Sequence, residues 1–192
     1  LFTQNERELS DIMQGVCKKG AFIMQEEMFE FEKSLARFLN VKHAVGLADG
    51  TMALMIALKS AGIHSGDEVL VPSHTFVASV AAIHHIGAIP VLVDIGQDHL
   101  IDPGKLESKI GPKTRGIMPV HLNGRTANMD TILDLISKFG LLLVEDACQA
   151  LGSRFRDRCA GTFGACGAFS FYPSKTLGCF GDGGALVTDD DK

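Results

Sequence analysis

Short, continuous apolar runs separated by helical stretches constrain the fold of this chain most strongly. Residues 68–71, 116–120 and 141–145 are apolar at nearly every position rather than at alternate positions. This pattern is typical of strands whose two faces are both covered, because both sets of side chains are then buried. Since helices alternate with these strands, we predict an α/β fold with three layers, α/β/α, around a mostly parallel sheet.

The remaining predicted elements complete the alternation. Helices are predicted over residues 11–18, 26–39, 52–61, 76–85 and 129–139, with a short capped helix after Asp102. Further strands are predicted over residues 44–47, 89–95, 168–171 and 185–188. The chain has 192 residues, of which 46% are hydrophobic and 21% charged, so it can bury a sizeable core as about one domain.

Composition argues against several classes of partner. The net charge of −5 does not suit nucleic acid or an anionic membrane, and no apolar run is long enough to span a bilayer. Residues 1–20 lack the order of a signal peptide. The five cysteines form no C-x-x-C pair, which predicts reduced, buried thiols in a cytoplasmic protein, and the scattered histidines predict no metal site.

A lysine in a glycine-rich loop follows the predicted strand at residues 168–171. The loop continues to Gly184 and contains too much glycine for a helix or a strand. Apolar surroundings next to a buried strand favour the neutral amine that reaction with an aldehyde requires. Taken alone, an ordinary exposed loop lysine is the simpler interpretation of Lys175.

Asp146 is the most informative acid in the chain. It follows the apolar run at residues 141–144, where a carboxylate is costly unless it is paired or hydrogen-bonded. A salt bridge or a cap of the next helix would satisfy it as well as a ligand would. Its role therefore depends on which groups lie nearby.

Three other predicted strands are followed by candidate binding residues, and ligands bind at the carboxyl ends of strands in such sheets. Gly50 and Thr51 open a helix whose free N–H groups suit an anion such as phosphate, although a plain helix cap is the alternative. Phe76 suits either the core or the face of a flat ring. A lone histidine such as His121 is more often structural than catalytic.

Together these groups suit pyridoxal 5'-phosphate (PLP). Its phosphate needs a helix N-terminus and hydroxyls, its ring needs a stacking face, its pyridine nitrogen needs an anion and its aldehyde needs an amine. Asp146 would serve the nitrogen and Lys175 the aldehyde. This combination, rather than any single residue, points to the cofactor.

The motifs resemble those of the DegT/DnrJ/EryC1/StrS family of sugar aminotransferases over nearly the whole chain, from about Gly20 onwards. The resemblance rests on several segments in the right order: Gly50-Thr-Met-Ala-Leu54, Gly66-Asp-Glu-Val69, Pro72-Ser-His-Thr-Phe76, Pro119-Val-His-Leu122, Glu145-Asp-Ala-Cys-Gln-Ala-Leu-Gly152, Phe169-Ser-Phe-Tyr-Pro-Ser-Lys175 and Gly181-Asp-Gly-Gly184. It implies the large domain of a PLP-dependent transferase of the aspartate-aminotransferase fold.

The resemblance also implies roles for single residues. Lys175 and Asp146 match the catalytic pair: the lysine that bonds the cofactor's aldehyde and carries protons, and the acid at the pyridine nitrogen. The other implied cofactor contacts are Gly50, Thr51 and Ser170 at the phosphate, Phe76 on the ring face and Gln149 at the ring hydroxyl. His121 matches a motif position near the site, for which substrate contact is the implied role.

The implied reaction moves an amino group, commonly from glutamate, onto a nucleotide-linked keto-sugar, as in polysaccharide biosynthesis, in a cytoplasmic homodimer. Alternatives are a PLP-dependent sugar dehydratase or lyase, and a non-catalytic or regulatory dimerising module of the same fold. Dehydratases of the family carry histidine in place of the lysine, so Lys175 favours transamination.

Two departures from the family pattern stand out. Asp49 lies where serine is frequent, which brings a negative side chain close to the implied phosphate unless it points away. Family members are also roughly twice as long, in keeping with a second domain of ordinary size. We therefore expect residues 1–192 to correspond to the PLP-binding large domain, without the C-terminal small domain.

Overall fold

In the computed structural model, which describes residues 2–20 and 22–191, helices alternate with strands along most of the chain. The helices are α1 (Phe2–Lys19), α2 (Glu26–Leu39), α3 (Gly50–Ser60), α4 (Val77–His85), α5 (Pro103–Leu106) and α6 (Met129–Phe139). The strands are β1 (His43–Leu47), β2 (Glu68–Pro72), β3 (Ile89–Val93), β4 (Thr114–Ile117), β5 (Leu142–Asp146), β6 (Arg154–Phe155), β7 (Arg158–Cys159), β8 (Cys166–Ser170) and β9 (Gly184–Thr188).

Seven strands form one sheet in the order β1-β9-β8-β5-β4-β2-β3. The pairings from β8 through β5, β4 and β2 to β3 are parallel, whereas β9 pairs antiparallel with both β8 and β1. Strand β1 therefore runs in the same direction as β8. As a result, the carboxyl ends of β1, β2, β4, β5 and β8 and the start of β9 all lie at one edge of the sheet.

Both faces of the sheet are covered by helices. In β2, Val69 and Val71 pack with α3 and α4, whereas Leu70 between them packs with α5 and α6. In β5, Val144 likewise packs with α3 and α4, whereas Leu143 packs with α5 and α6. Because successive side chains of a strand point to opposite faces, this division explains why the strands read as continuous apolar runs.

Helix α2 packs over β1, β8 and β9. It contributes Leu35, Ala36 and Leu39 to a cluster that also contains Phe169 of β8 and Phe171, which directly follows β8. The helix ends at Asn40, which adopts the left-handed conformation with φ 56°. This third cluster fixes the region from which the glycine-rich loop departs.

The predicted three-layer fold with a mostly parallel sheet is confirmed. Helices α2 and α6 match the prediction residue for residue, and the other core elements shift by a few residues at their ends. The predicted helix at residues 11–18 is longer, since α1 spans Phe2–Lys19, and the short hairpin of β6 and β7 was not predicted. Its strands have two residues each, which is too short for any periodicity to indicate.

The cysteine prediction was wrong in part. All five thiols are free, but only Cys159 and Cys166 are buried; Cys148 and Cys179 are half-buried. Cys17 is exposed because it lies on α1, whose described side chains are all exposed or only partly buried.

Within the described ranges, residues 2–20 and 22–191, none of the helices has both the length and the apolar composition needed to cross a bilayer. The same residues contain no group of three or more histidine, cysteine, aspartate or glutamate side chains arranged to hold a metal ion.

Candidate active site

A cavity of about 460 Å³ lies at the edge of the sheet where the strands end. Its size is typical of a pocket for a small molecule. The seven residues predicted to contact a cofactor all line it: Gly50, Thr51, Phe76, Asp146, Gln149, Ser170 and Lys175. These residues come from four separate parts of the sequence, and the shared direction of β1, β2, β5 and β8 brings them together.

Asp146 forms part of the cavity wall and is only 5% exposed. Its Oδ2 accepts a hydrogen bond from the Ser79 hydroxyl at 2.6 Å, and its Oδ1 accepts one from the Cys148 N–H at 3.1 Å. Hydrogen bonds to both oxygens compensate the ionised carboxylate for the water it has lost. Each oxygen keeps a further lone pair for a donor in the cavity.

The start of α3 forms one end of the cavity, and Gly50 allows the surrounding chain to approach closely. A Cβ atom at Gly50 would lie 2.9 Å from both the Cys148 Sγ and the Ser170 Cβ. A Cβ at Gly184 would lie 2.3 Å from the Asp49 carbonyl carbon and oxygen. Glycine at both positions therefore lets β8 and β9 pack against the helix start, beside the hydroxyls of Thr51 and Ser170.

Asp49 does not point away from this end. It lines the cavity, and its Oδ1 accepts a hydrogen bond from the Met52 N–H at 2.8 Å, so it is the N-cap of α3. The N–H groups of a first helical turn have no acceptor within the helix, and the carboxylate takes one of them. A negative charge consequently lies beside the groups that would bind an anion.

Phe76 and Gln149 offer a flat apolar surface and a hydrogen-bonding group to the cavity. Phe76, just before α4, is 63% exposed although it is large and apolar. The Gln149 Oε1 accepts a hydrogen bond from the Asn123 N–H at 3.0 Å, which leaves the amide N–H groups of Gln149 free to donate elsewhere. A planar ring with a hydroxyl or oxyanion would fit between these two groups.

Lys175 lies in the loop that joins β8 to β9, and the base of this loop is closed. Ser170 and Gly184 are paired in the register of β8 and β9, and the Phe171 N–H donates to the Gly183 carbonyl at 2.8 Å. The Lys175 N–H donates to the Tyr172 carbonyl, also at 2.8 Å. These bonds anchor the loop at both ends, and the Lys175 side chain on it is half-buried.

Cys148 lines the cavity together with Asp146 and Lys175. Burial, with the adjacent charge of Asp146 as the second cause, raises the pKa of its thiol well above the ordinary value, while Lys175 opposes this shift. The thiol is therefore protonated at neutral pH. It contributes packing against Gly50 rather than a nucleophile.

The structure does not bring His121 into the cavity. Its side chain is completely buried, its Nδ1 accepts a hydrogen bond from the Ala127 N–H at 3.2 Å, and its Nε2 lies 2.9 Å from the Glu145 Oε2. Because Nδ1 is an acceptor, the hydrogen-bond network assigns the proton to Nε2, which donates to Glu145. Both ring nitrogens are engaged within the protein, so no nitrogen is left to contact a substrate.

Glu145 is the centre of this buried network. Its two oxygens accept hydrogen bonds from His121 and from the N–H groups of Gly161, Phe163 and Gly164, at distances of 2.5 to 2.9 Å. All four partners are donors, so the side chain fits only as a carboxylate. The network attaches the segment at residues 161–164 to the strand that carries Asp146.

Sequence reasoning missed several cavity residues and their neighbours. Thr75, Tyr172 and Asp182 line the cavity, and Ser79 lies behind it. A signal existed for Ser79, because it is the only hydroxyl residue in α4 and all its neighbours from Val77 to Ile83 are apolar. Asp182 belongs to the motif Gly181-Asp-Gly-Gly184 in the glycine-rich loop, but the motif gave no indication that this side chain lines the cavity.

The sequence profile of the DegT/DnrJ/EryC1/StrS aminotransferase family matches residues 3–192, and the chain belongs to this family. A curated relative, the dTDP-3-amino-3,4,6-trideoxy-alpha-D-glucose transaminase of Streptomyces venezuelae, is 48% identical over 176 residues, which cover 91% of this chain and 46% of the relative. The chain spans about half the length of the curated relatives it matches.

The chain is also similar in structure to solved proteins. The crystal structure of S. venezuelae DesV in complex with a ketimine intermediate has a TM-score of 0.96 at 44% identity, over 99% of this chain and 52% of that one. The structure of NtdA from Bacillus subtilis with bound cofactor PMP has a TM-score of 0.89 at 34% identity, over 96% of this chain and 42% of that one.

We predict that Glu145→Gln destabilises the fold. The amide replaces one acceptor oxygen with an NH₂ group that faces N–H donors, so buried groups lose their partners, at a cost of about 2 kcal/mol or more. The free energy of unfolding from urea denaturation measures this loss. Glu107→Gln is the control, since its ion pair with Lys138 is exposed, and similar small effects of the two substitutions would contradict the prediction.

Proposed function

We propose that this chain binds PLP and carries the cofactor site of a transaminase, which moves an amino group from glutamate to a keto-sugar linked to a nucleotide. The observation that carries the proposal is the single cavity lined by Lys175, Asp146 and the start of α3. The named relative, a transaminase of a dTDP-linked sugar, and the PMP-bound relative of known structure support the choice of substrate class and cofactor.

The side chains of the cavity fit PLP by their chemistry. The hydroxyls of Thr51 and Ser170 and the N–H groups at the start of α3 suit the phosphate, in a space that a Cβ atom at Gly50 would fill. Phe76 suits the ring face, and the amide of Gln149 suits the ring oxygen. Asp146, which accepts hydrogen bonds from two donors, suits the protonated pyridine nitrogen.

When bound, PLP supplies an aldehyde that reacts with amines and a ring that withdraws electrons from the reacting carbon. The chain's own part is to bind, to orient and to move protons. The Lys175 amine would hold the cofactor at its aldehyde carbon and, once the donor's amine has taken its place there, would be free to accept the proton from the amine-bearing carbon of the donor. The Asp146 carboxylate would hold the proton on the ring nitrogen.

Lys175 separates this function from that of a dehydratase of the same family. Dehydratases of the family carry histidine in place of this lysine. A histidine side chain has no primary amine and cannot form the covalent link to the cofactor's aldehyde that a lysine forms. Lys175 lines the cavity from the loop between β8 and β9, as transamination requires. Transamination is therefore the better-supported reaction.

We also infer a homodimer in the cytoplasm. An apolar groove of about 830 Å³ adjoins the cavity through Asp182, and Phe22, Ile23 and Met24 on it are each at least 65% exposed. Exposed apolar surface of this kind is typical of an interface between subunits. The five free thiols support a reducing compartment. A monomer in sedimentation equilibrium at micromolar concentration would contradict the dimer.

Covalent labelling of Lys175 tests the proposed function. Incubation with PLP followed by borohydride reduction should attach a phosphopyridoxyl group to Lys175, which peptide mass spectrometry locates, and Lys175→Ala should abolish this label. In the unreduced protein, glutamate should convert bound PLP to pyridoxamine phosphate and release an equal amount of 2-oxoglutarate.

Lys59→Ala is the matched control, since Lys59 is an exposed lysine at the end of α3 and does not line the cavity. This variant should be labelled as the unchanged chain is. Labelling that persists in Lys175→Ala, or a chain that binds no PLP, would count against the proposed function.

The charge of Asp49 gives a further prediction about PLP binding. Asp49→Asn keeps an oxygen that can cap α3 but removes the negative charge beside the proposed phosphate site. We expect it to bind PLP about three- to tenfold more tightly at low salt, with a smaller gain at high salt, because exposed charges are screened. Spectroscopic titration with PLP measures both dissociation constants.

Asp102→Asn provides the control for this substitution. Asp102 caps α5 by accepting a hydrogen bond from the Gly104 N–H at 2.9 Å, and it lies outside the cavity. The same chemical change should leave PLP binding unaltered there. Unchanged or weaker binding by Asp49→Asn would show that the charge of Asp49 does not oppose the phosphate.

A further inference from the structure

Two hydroxyl side chains connect the cavity wall to the buried acid. Thr75 lines the cavity, and its Oγ1 lies 2.7 Å from the Ser79 Oγ. The Ser79 hydroxyl is completely buried on α4 and lies 2.6 Å from the Asp146 Oδ2. Residues from α4, from the loop before it and from the end of β5 thus form one continuous chain of hydrogen bonds.

The direction of this chain follows from the proton count. An ionised carboxylate can only accept, so Ser79 must donate its single hydroxyl proton to Asp146. Ser79 therefore accepts from Thr75, whose hydroxyl is the donor. Every bond in the chain points towards the carboxylate, and each donor strengthens the next by polarising it.

Packing alone does not explain a serine at this position. The residues around it in α4 are apolar, with Ala82 and Ile83 buried in the core cluster. A serine within a helix commonly bonds the carbonyl of the preceding turn, whereas the Ser79 hydroxyl donates to a side chain that is 67 residues away in the sequence. Alanine would fill the same space without this bond.

We propose that Ser79, supported by Thr75, is a positioning residue that holds the Asp146 carboxylate in the orientation needed by the ring nitrogen of PLP. The inference rests on the proposed function. Together with the Cys148 N–H on Oδ1, the Ser79 bond fixes the rotation of the carboxylate about its own axis. The lone pairs left on Asp146 then meet the N–H of the ring in a charge-assisted hydrogen bond.

Binding measurements with two ligands test this role. The first ligand is PLP, and the second is its analogue in which a carbon–hydrogen group replaces the ring nitrogen. Ser79→Ala should weaken PLP binding by about tenfold, as expected for a hydrogen bond to a charged group, but should barely change binding of the analogue. The dissociation constants come from spectroscopic titration and need no turnover.

The variant Asp146→Asn supplies a second comparison. In its background, Ser79→Ala should cost little further PLP affinity, because the carboxylate through which Ser79 acts is gone. Thr75→Ala removes only the outer donor and should weaken PLP binding less than Ser79→Ala does. This half-buried position also serves if Ser79→Ala fails to fold.

Each outcome decides the question. Loss of affinity for PLP alone supports the role of Ser79. Equal losses for PLP and the analogue would mean that Ser79 acts through packing, and unchanged PLP binding in Ser79→Ala would mean that it does not act on the site; either result overturns this proposal and leaves the proposed function standing. If the unchanged chain binds no PLP, the proposed function falls and this proposal with it.

Discussion

Two adjacent carboxylates at the end of β5 are the constraint on which the rest of the site depends. Burying a charge is costly unless hydrogen bonds replace the lost water, and Glu145 and Asp146 are both nearly inaccessible. As neighbours on a strand, they point to opposite faces. Glu145 is satisfied by the segment at residues 161–164 and by His121, and Asp146 by Ser79 of α4 and the Cys148 N–H. Satisfying both acids fixes the elements around them.

The direction of the strands converts this local requirement into a site. Since β1, β2, β5 and β8 end at the same edge, their following segments supply the helix start, the aromatic ring, the acid and the lysine to one cavity. Small residues then decide how closely these segments approach. Gly50 and Gly184 have no side chains, so the backbones of α3, β8 and β9 come within distances that a Cβ atom would forbid.

The fold and most of the site could be predicted from the sequence because the strands are continuous apolar runs and the site residues lie in recognisable motifs. His121 could not be assigned in the same way, since a buried histidine and a ligand-facing one look alike until Glu145 and the Ala127 N–H are seen beside it. The capping role of Asp49 and the contact of Ser79 with Asp146 depend on distances between remote segments. The hairpin of β6 and β7 lacks any periodic signal.

The antiparallel strand β9 has a consequence for how such proteins diversify. Because Ser170 and Gly184 are opposite each other in the register of β8 and β9, and the Phe171 N–H donates to the Gly183 carbonyl, the loop that carries Lys175 leaves and re-enters the sheet at one place. Exchanging residues within that loop leaves the scaffold's pairing intact. The side chain at position 175 can therefore be replaced over evolutionary time without a new architecture, and a single scaffold can host chemically different reactions.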